Sequence, residues 1–219
     1  MNDTELLLWV RGPGFEYAIG IFLVGVCVRL LEILVLGRRP NYAEARGSAM
    51  AGGLRAILTR SVPDKGTMAR STFTLSAGYV FHVGLFVVVF FFSPHIMVWN
   101  QLLGAKWPGL PSPVIDAVSV VTLVTLLAVL YHRITSPVMR LLSLPQDYLV
   151  WAVTFLPVLT GYLAVHRLML PPKTLLALHI ASVEVLLVLF PFTKLMHGFT
   201  LILARWYNGA ISGYRGVRS

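Results

Sequence analysis

Apolar residues fall in five long blocks, parted by stretches where charges, prolines and glycines collect. A helix that crosses a bilayer needs about 20 mostly apolar residues, because the hydrocarbon core is about 30 Å thick and each residue rises about 1.5 Å. The blocks that reach this length predict spans at about 15–37, 72–100, 113–132, 147–169 and 174–206. The first ends at Gly37, before Arg38 and Arg39; the third starts after "WPGLPSP"; Pro171 and Pro172 close the fourth. The fifth is long enough to emerge from the bilayer. Residues 38–70 form the one long connection, and "AMAGGLRAILTR" within it predicts a short amphipathic helix at the membrane interface. The expected fold is an all-α integral membrane bundle of five transmembrane helices, a single membrane domain over 1–219.

Composition agrees. The chain is 57% hydrophobic and 12% charged, whereas soluble domains carry about 25% charge. The net charge of +9 does not point to nucleic acid, because the basic residues form no cluster with interleaved aromatics. They lie between the apolar blocks. Twelve Lys and Arg fall in the 38–70 loop, the third-to-fourth connection and the C-terminus, against four on the other side. Basic residues concentrate on the cytoplasmic side, so the N-terminus is expected outside and the C-terminus in the cytoplasm. Cys27 is the one cysteine, which excludes an internal disulfide, a CxxC zinc site and an iron–sulfur cluster held by this chain. The N-terminal "MNDTELLLWVRGPGFEY" lacks the basic region of a signal peptide.

Histidine placement narrows the chemistry. All six histidines lie in or at the ends of spans two to five. Ionisable groups at bilayer depth are costly and usually functional, and a neutral imidazole offers a lone pair to a metal. Span two carries His82 toward the inner face and His95 toward the outer; span five, running the other way, carries His179 outside and His197 inside. Two levels with two imidazoles each is the arrangement for two bis-histidine haems, His82 with His197 and His95 with His179. On a continuous helix His179 and His197 share a face, five turns apart. His82 and His95 would point apart, so "FFSPH" is expected to distort the helix at Pro94 and re-aim His95. The competing class is a transporter of protons or metal ions using His82, His179 and Glu184.

The segments "FHVGLFVVVFFFSPHI" (81–96) and "LHIASVEVLLVLFPFTKLMHG" (178–198) resemble the haem-bearing helices of the gamma subunit of respiratory nitrate reductase and its relatives. The wide spacing in span two and its "SPH" are closer to the membrane cytochrome b subunits associated with heterodisulfide reductase and sulfite reduction. The resemblance implies an electron-transfer subunit with two haem b groups in a prokaryotic inner membrane. It implies exchange of electrons with menaquinone or ubiquinone, and a cytoplasmic-side iron–sulfur partner of heterodisulfide-reductase-like, hydrogenase-associated or molybdoenzyme-associated type. The terminal catalysis would be the partner's.

Lys194 and Arg29 are candidate partners for haem propionates; a snorkelling lysine and an Arg29–Glu32 pair are the plainer readings. His166, Asp116 and Lys106 are candidates for quinone. Glu184 is the one carboxylate clearly central in a span. The five tryptophans, Trp9, Trp99, Trp107, Trp151 and Trp206, fit an interfacial belt.

Overall fold

The computed structural model describes residues 2–36 and 42–217. Gly37, Arg38, Arg39 and Arg218, which mark the expected end of the first span and part of the charge asymmetry, lie outside the described residues. Among those described, the secondary structure is helical throughout. Ten helices follow in order: α1 Asp3–Arg11, α2 Pro13–Val35, α3 Ala49–Thr59, α4 Lys65–Phe91, α5 Ser93–Leu103, α6 Ser112–Thr135, α7 Pro137–Leu142, α8 Pro145–His166, α9 Pro172–Leu189 and α10 His197–Tyr214. Five stretches are long and apolar enough to cross a membrane: Asp3–Val35, Lys65–Phe91, Ser112–Thr135, Pro145–His166 and Pro172–Phe192.

Short polar side chains start several of these helices. Asn2 accepts from the amides of Thr4 and Glu5, while Glu5 accepts from the Asn2 amide, a reciprocal capping box. Ser48 Oγ takes the Ala51 amide ahead of α3. Asp64 takes the amides of Gly66 and Thr67 ahead of α4. Large apolar side chains face outward along the spans; Leu34 is 67% exposed, Phe86 59% and Val124 60%. Apolar surface on this scale calls for a lipid surround.

Two expectations about helix continuity meet different outcomes. The distortion at "FFSPH" is present: α4 ends at Phe91, Phe92 is extended (φ −79°, ψ 124°), and α5 restarts at Ser93 with Pro94 in its first turn. The expected helix over 174–206 is not continuous. It stops at Leu189, passes through two 3₁₀ turns, Phe190–Phe192 and Lys194–Met196, and resumes as α10 at His197. Pro191 removes one main-chain donor, and Thr193 is fully extended (φ −125°, ψ 178°). No single helix therefore carries both His179 and His197.

The chain divides into two compact units. The first comprises Met1–Ile19 with Ser71–Val188. In it α6 packs on α8, and Trp151 Nε1 donates to the Leu126 carbonyl at 2.8 Å. The buried hydroxyls of Ser119 and Thr122 are satisfied by carbonyls one turn back, those of Ile115 and Val118. The start of α1 lies against the start of α9, where Thr174 Oγ1 donates to Asp3 Oδ2 at 2.6 Å and Lys173 Nζ to Thr4 Oγ1 at 3.2 Å.

The second unit comprises Gly20–Arg70 with Leu189–Ser219. Its core is α3 laid on α10 through glycines. A Cβ added to Gly52 would sit 2.3 Å from the Gly209 carbonyl oxygen, and one on Gly213 would sit 2.5 Å from that of Ser48. Only missing side chains let the two backbones approach this closely. Arg205 Nη1 donates to Ser61 Oγ at 2.7 Å, and the Arg46 amide donates to the Tyr214 carbonyl at 2.8 Å. Phe22, Phe190 and Phe199 form a ring cluster with centroids 5.3–5.9 Å apart.

Candidate functional site

The break after α4 orphans its last four carbonyls, and buried carbonyls must find donors. Four different groups supply them. His95 Nδ1 donates to Val88 at 2.9 Å, Trp99 Nε1 to Val89 at 3.1 Å, Trp107 Nε1 to Phe90 at 2.6 Å, and the Leu110 amide to Phe91 at 2.9 Å. Trp99 and Trp107 thus cap a helix end, a role that tryptophan spacing alone does not signal. The same bonds fix the His95 ring. A carbonyl only accepts, so Nδ1 carries the proton and Nε2 the lone pair.

His179 on α9 faces this ring. The two centroids are 6.0 Å apart and the planes differ by 18°. His179 Nδ1 lies 3.0 Å from the Pro157 carbonyl oxygen, with Thr160 Oγ1 at 3.4 Å. Thr160 Oγ1 also lies 3.1 Å from Ser182 Oγ, which donates to the His179 carbonyl at 2.7 Å. Gly161 makes room for the ring, since a Cβ there would fall 3.0 Å from His179 Cε1. Pro157, Thr160 and Gly161 therefore hold His179 from the α8 side, and Ser182, in α9 itself, lies against Thr160. None was marked by sequence reasoning. The proline inside α8 and the hydroxyl one turn after it were the available signal.

His82 and His197 repeat the pattern. His82 Nδ1 lies 2.7 Å from the Gly78 carbonyl oxygen, and His197 Nδ1 lies 2.7 Å from that of Lys194. His82 stacks on Phe81 with centroids 4.1 Å apart. Each of the four proposed ligands thus anchors Nδ1 on the main chain, the orienting bond that metal-ligating histidines usually make through the nitrogen not bound to metal.

The remaining histidines are held otherwise. His132 lies against the Phe73 ring at 4.7 Å. His166 Nε2 is 3.4 Å from Asp116 Oδ1, with the Tyr162 ring at 4.4 Å. Two of the three residues singled out for quinone therefore meet. Lys106 is exposed between α5 and α6, and among the described residues no ion pair joins it to them.

Arg29 is engaged within its own unit. Nη1 pairs with Glu32 at 2.8 Å and Nε donates to the Pro191 carbonyl at 3.2 Å, so the plainer i, i+3 pair is formed. Lys194 is exposed in the second 3₁₀ turn.

The donor set suits a macrocycle. Among the described residues, no group of three or more His, Cys, Asp or Glu side chains stands ready for a bare metal ion. Haem brings four ligands of its own and asks the protein for one or two. A metal held between two imidazole nitrogens by bonds of about 2 Å would set the ring centres roughly 6 Å apart. The 6.0 Å between His95 and His179 fits that requirement.

Fold and site define the class: an all-α chain with five helices fit to cross a membrane and with two near-parallel imidazoles, His95 and His179, facing one another. No family model matches the chain, and no solved structure matches it. A protein of Nitratidesulfovibrio vulgaris (strain Hildenborough) is 31% identical over 208 residues, covering 92% of this chain and 91% of its own length. The chain belongs to the family of that protein. The relative is described only as "Protein", so the kinship carries no activity with it.

Proposed function

We propose that the chain is a membrane cytochrome b subunit that binds two haem b groups. It carries electrons between menaquinone or ubiquinone in a prokaryotic inner membrane and an iron–sulfur partner on the cytoplasmic side. Its N-terminus is outside and its C-terminus inside, in keeping with the distribution of Lys and Arg. The observation that carries this reading is the His95–His179 pair, near-parallel rings 6.0 Å apart, each with Nδ1 on a main-chain carbonyl. When bound, haem supplies reversible one-electron chemistry at its iron. The chain's own part is to present imidazole lone pairs, fix ring orientation and exclude water.

His95 and His179 are the outer ligands. His82 and His197 are proposed as the inner ligands on the sequence argument, supported by the Nδ1–carbonyl bond that each makes. Lys194 and Arg29 are the cations proposed to meet propionates. Quinone is proposed at His166 with Asp116, where an imidazole paired with a carboxylate can accept a quinol proton; Lys106 is the third candidate there. The partner is heterodisulfide-reductase-like, hydrogenase-associated or molybdoenzyme-associated, and docks on the 38–70 loop and the tail 208–219, of which 42–70 and 208–217 are among the described residues.

The test is optical. Protein purified from haem-replete cells is expected to show a reducible b-type spectrum with about two haems per chain, and His179→Ala about one. A colourless preparation overturns the proposal. That colourless result is what the second reading predicts, a proton or metal-ion transporter using His82, His179 and Glu184. The buried carboxylate oxygen of Glu184, without a hydrogen-bond partner among the described residues, is the observation that favours this second reading.

A further inference from the structure

Glu184 lies in the middle of the apolar run of α9 and is 8% exposed. Its Oε1 is fully buried and, among the described residues, accepts no hydrogen bond. Buried polar atoms almost always have a partner, and an exception calls for a functional or structural explanation. An unpaired ionised carboxylate in an apolar surround is among the costliest groups to bury.

The wall facing Oε1 is built from the end of α1 and the start of α2. The helical run breaks at Gly12 (φ −117°, ψ −109°) and restarts at Pro13. The first turn of α2 then holds Gly14, where a Cβ would sit 2.8 Å from Glu184 Oε1 and 2.5 Å from Trp9 Cζ3. The carboxyl tip therefore occupies the notch left by a missing side chain, with the Trp9 ring as its other side. Val10 and Ala18, in the same two helices, are 1% and 2% exposed. The charged residues nearest in these helices are Arg11 and Glu16; both are exposed, and neither bonds to Oε1. A helix start presents the positive end of its dipole, which offsets part of the cost of the ionised form.

We infer that Glu184 is an intramembrane proton-binding site, its carboxyl taking up and releasing a proton in the notch between Gly14 and Trp9. Uptake forms one O–H bond on the carboxylate, and release returns the proton to water. No electron moves and no co-reactant is needed. Trp9, whose ring borders the notch, is 48% exposed, and proton exchange is assigned to that side. The assignment does not depend on the haem proposal.

The experiment is infrared difference spectroscopy on the full chain in lipid, perfused alternately with acidic and alkaline buffer in H₂O and D₂O. The wild type is expected to show a carboxylic-acid C=O band that shifts in D₂O and is lost in Glu184→Gln. Glu184→Asp and Gly14→Ala are expected to keep that band at an altered position. They carry the test by themselves if Glu184→Gln does not fold. Identical acid C=O spectra for wild type and Glu184→Gln overturn the inference, as does a band unmoved by D₂O or by both other variants.

Discussion

Thr122 occupies the space that any side chain at Gly84 would need: a Cβ there would fall 2.0 Å from Thr122 Oγ1. The hydroxyl has no freedom to leave, because it donates to the Val118 carbonyl at 2.7 Å and the residue is fully buried. Gly84→Ala is therefore expected to destabilise the protein by about 1–3 kcal/mol, the usual cost of overpacking. Adding Thr122→Ala should recover part of that loss, and thermal unfolding of the two single variants and the double variant in detergent measures the coupling.

Thr160 tests how His179 is held. Thr160→Val removes the hydroxyl at 3.4 Å from His179 Nδ1 and leaves the Pro157 carbonyl at 3.0 Å. If haem is bound there, its content should be unchanged and one of two midpoint potentials should move. A hydrogen bond worth about 1 kcal/mol corresponds to roughly 40 mV for one electron. Redox titration of the purified protein reads the shift, and unchanged potentials would remove Thr160 from the positioning of the ligand.

Asp64 gives α4 a pH-sensitive start. Hydrogen bonds from the Thr67 hydroxyl, the Thr67 amide and the Gly66 amide hold its carboxyl below the usual aspartate value. The ionised form is thus favoured in the folded state. Its contribution is fully present above the unfolded pKa and is lost as pH falls through the lower folded pKa. Amide exchange at Gly66 and Thr67 is expected to accelerate on acidification through that window. In Asp64→Ala it should be fast at every pH, after correction for intrinsic exchange.

The α3–α10 pair depends on glycine. A Cβ on Gly209 would fall 2.4 Å from Ala56 Cβ and from the Gly52 carbonyl oxygen. Gly209→Leu is expected to prise α3 from α10, and limited trypsin digestion should then cut faster at Arg55 and Arg60. Cleavage at the wild-type rate would show that the pair tolerates a side chain there.

The spans were legible because bilayer thickness imposes a length and an apolar content that the sequence must display. All five expected spans correspond to apolar helical stretches. The break at "FFSPH" was legible too, since a proline near a helix end leaves few alternatives. The extent of the break at "FPFTKLM" was not: Pro191 predicts a bend, and nothing in the sequence shows that Thr193 is extended. The meeting of His166 with Asp116 was half legible, as two polar residues near span ends whose proximity depends on α6 and α8 lying side by side. The work of Pro157, Thr160 and Ser182 around His179 was invisible. Hydroxyls in membrane helices usually bond back to their own turn, as Thr160 itself does to the Leu156 carbonyl at 2.7 Å, and nothing in the sequence shows that one also lies against a ring of another helix.

The end of α4 is secured with redundancy. Its four open carbonyls have four independent donors, spread from His95 to Leu110. Replacing Trp99 or Trp107 alone leaves three anchors in place, so the bend should survive any single loss. Whatever the imidazole at 95 holds, evolution can retune its surroundings residue by residue without straightening the helix beneath it.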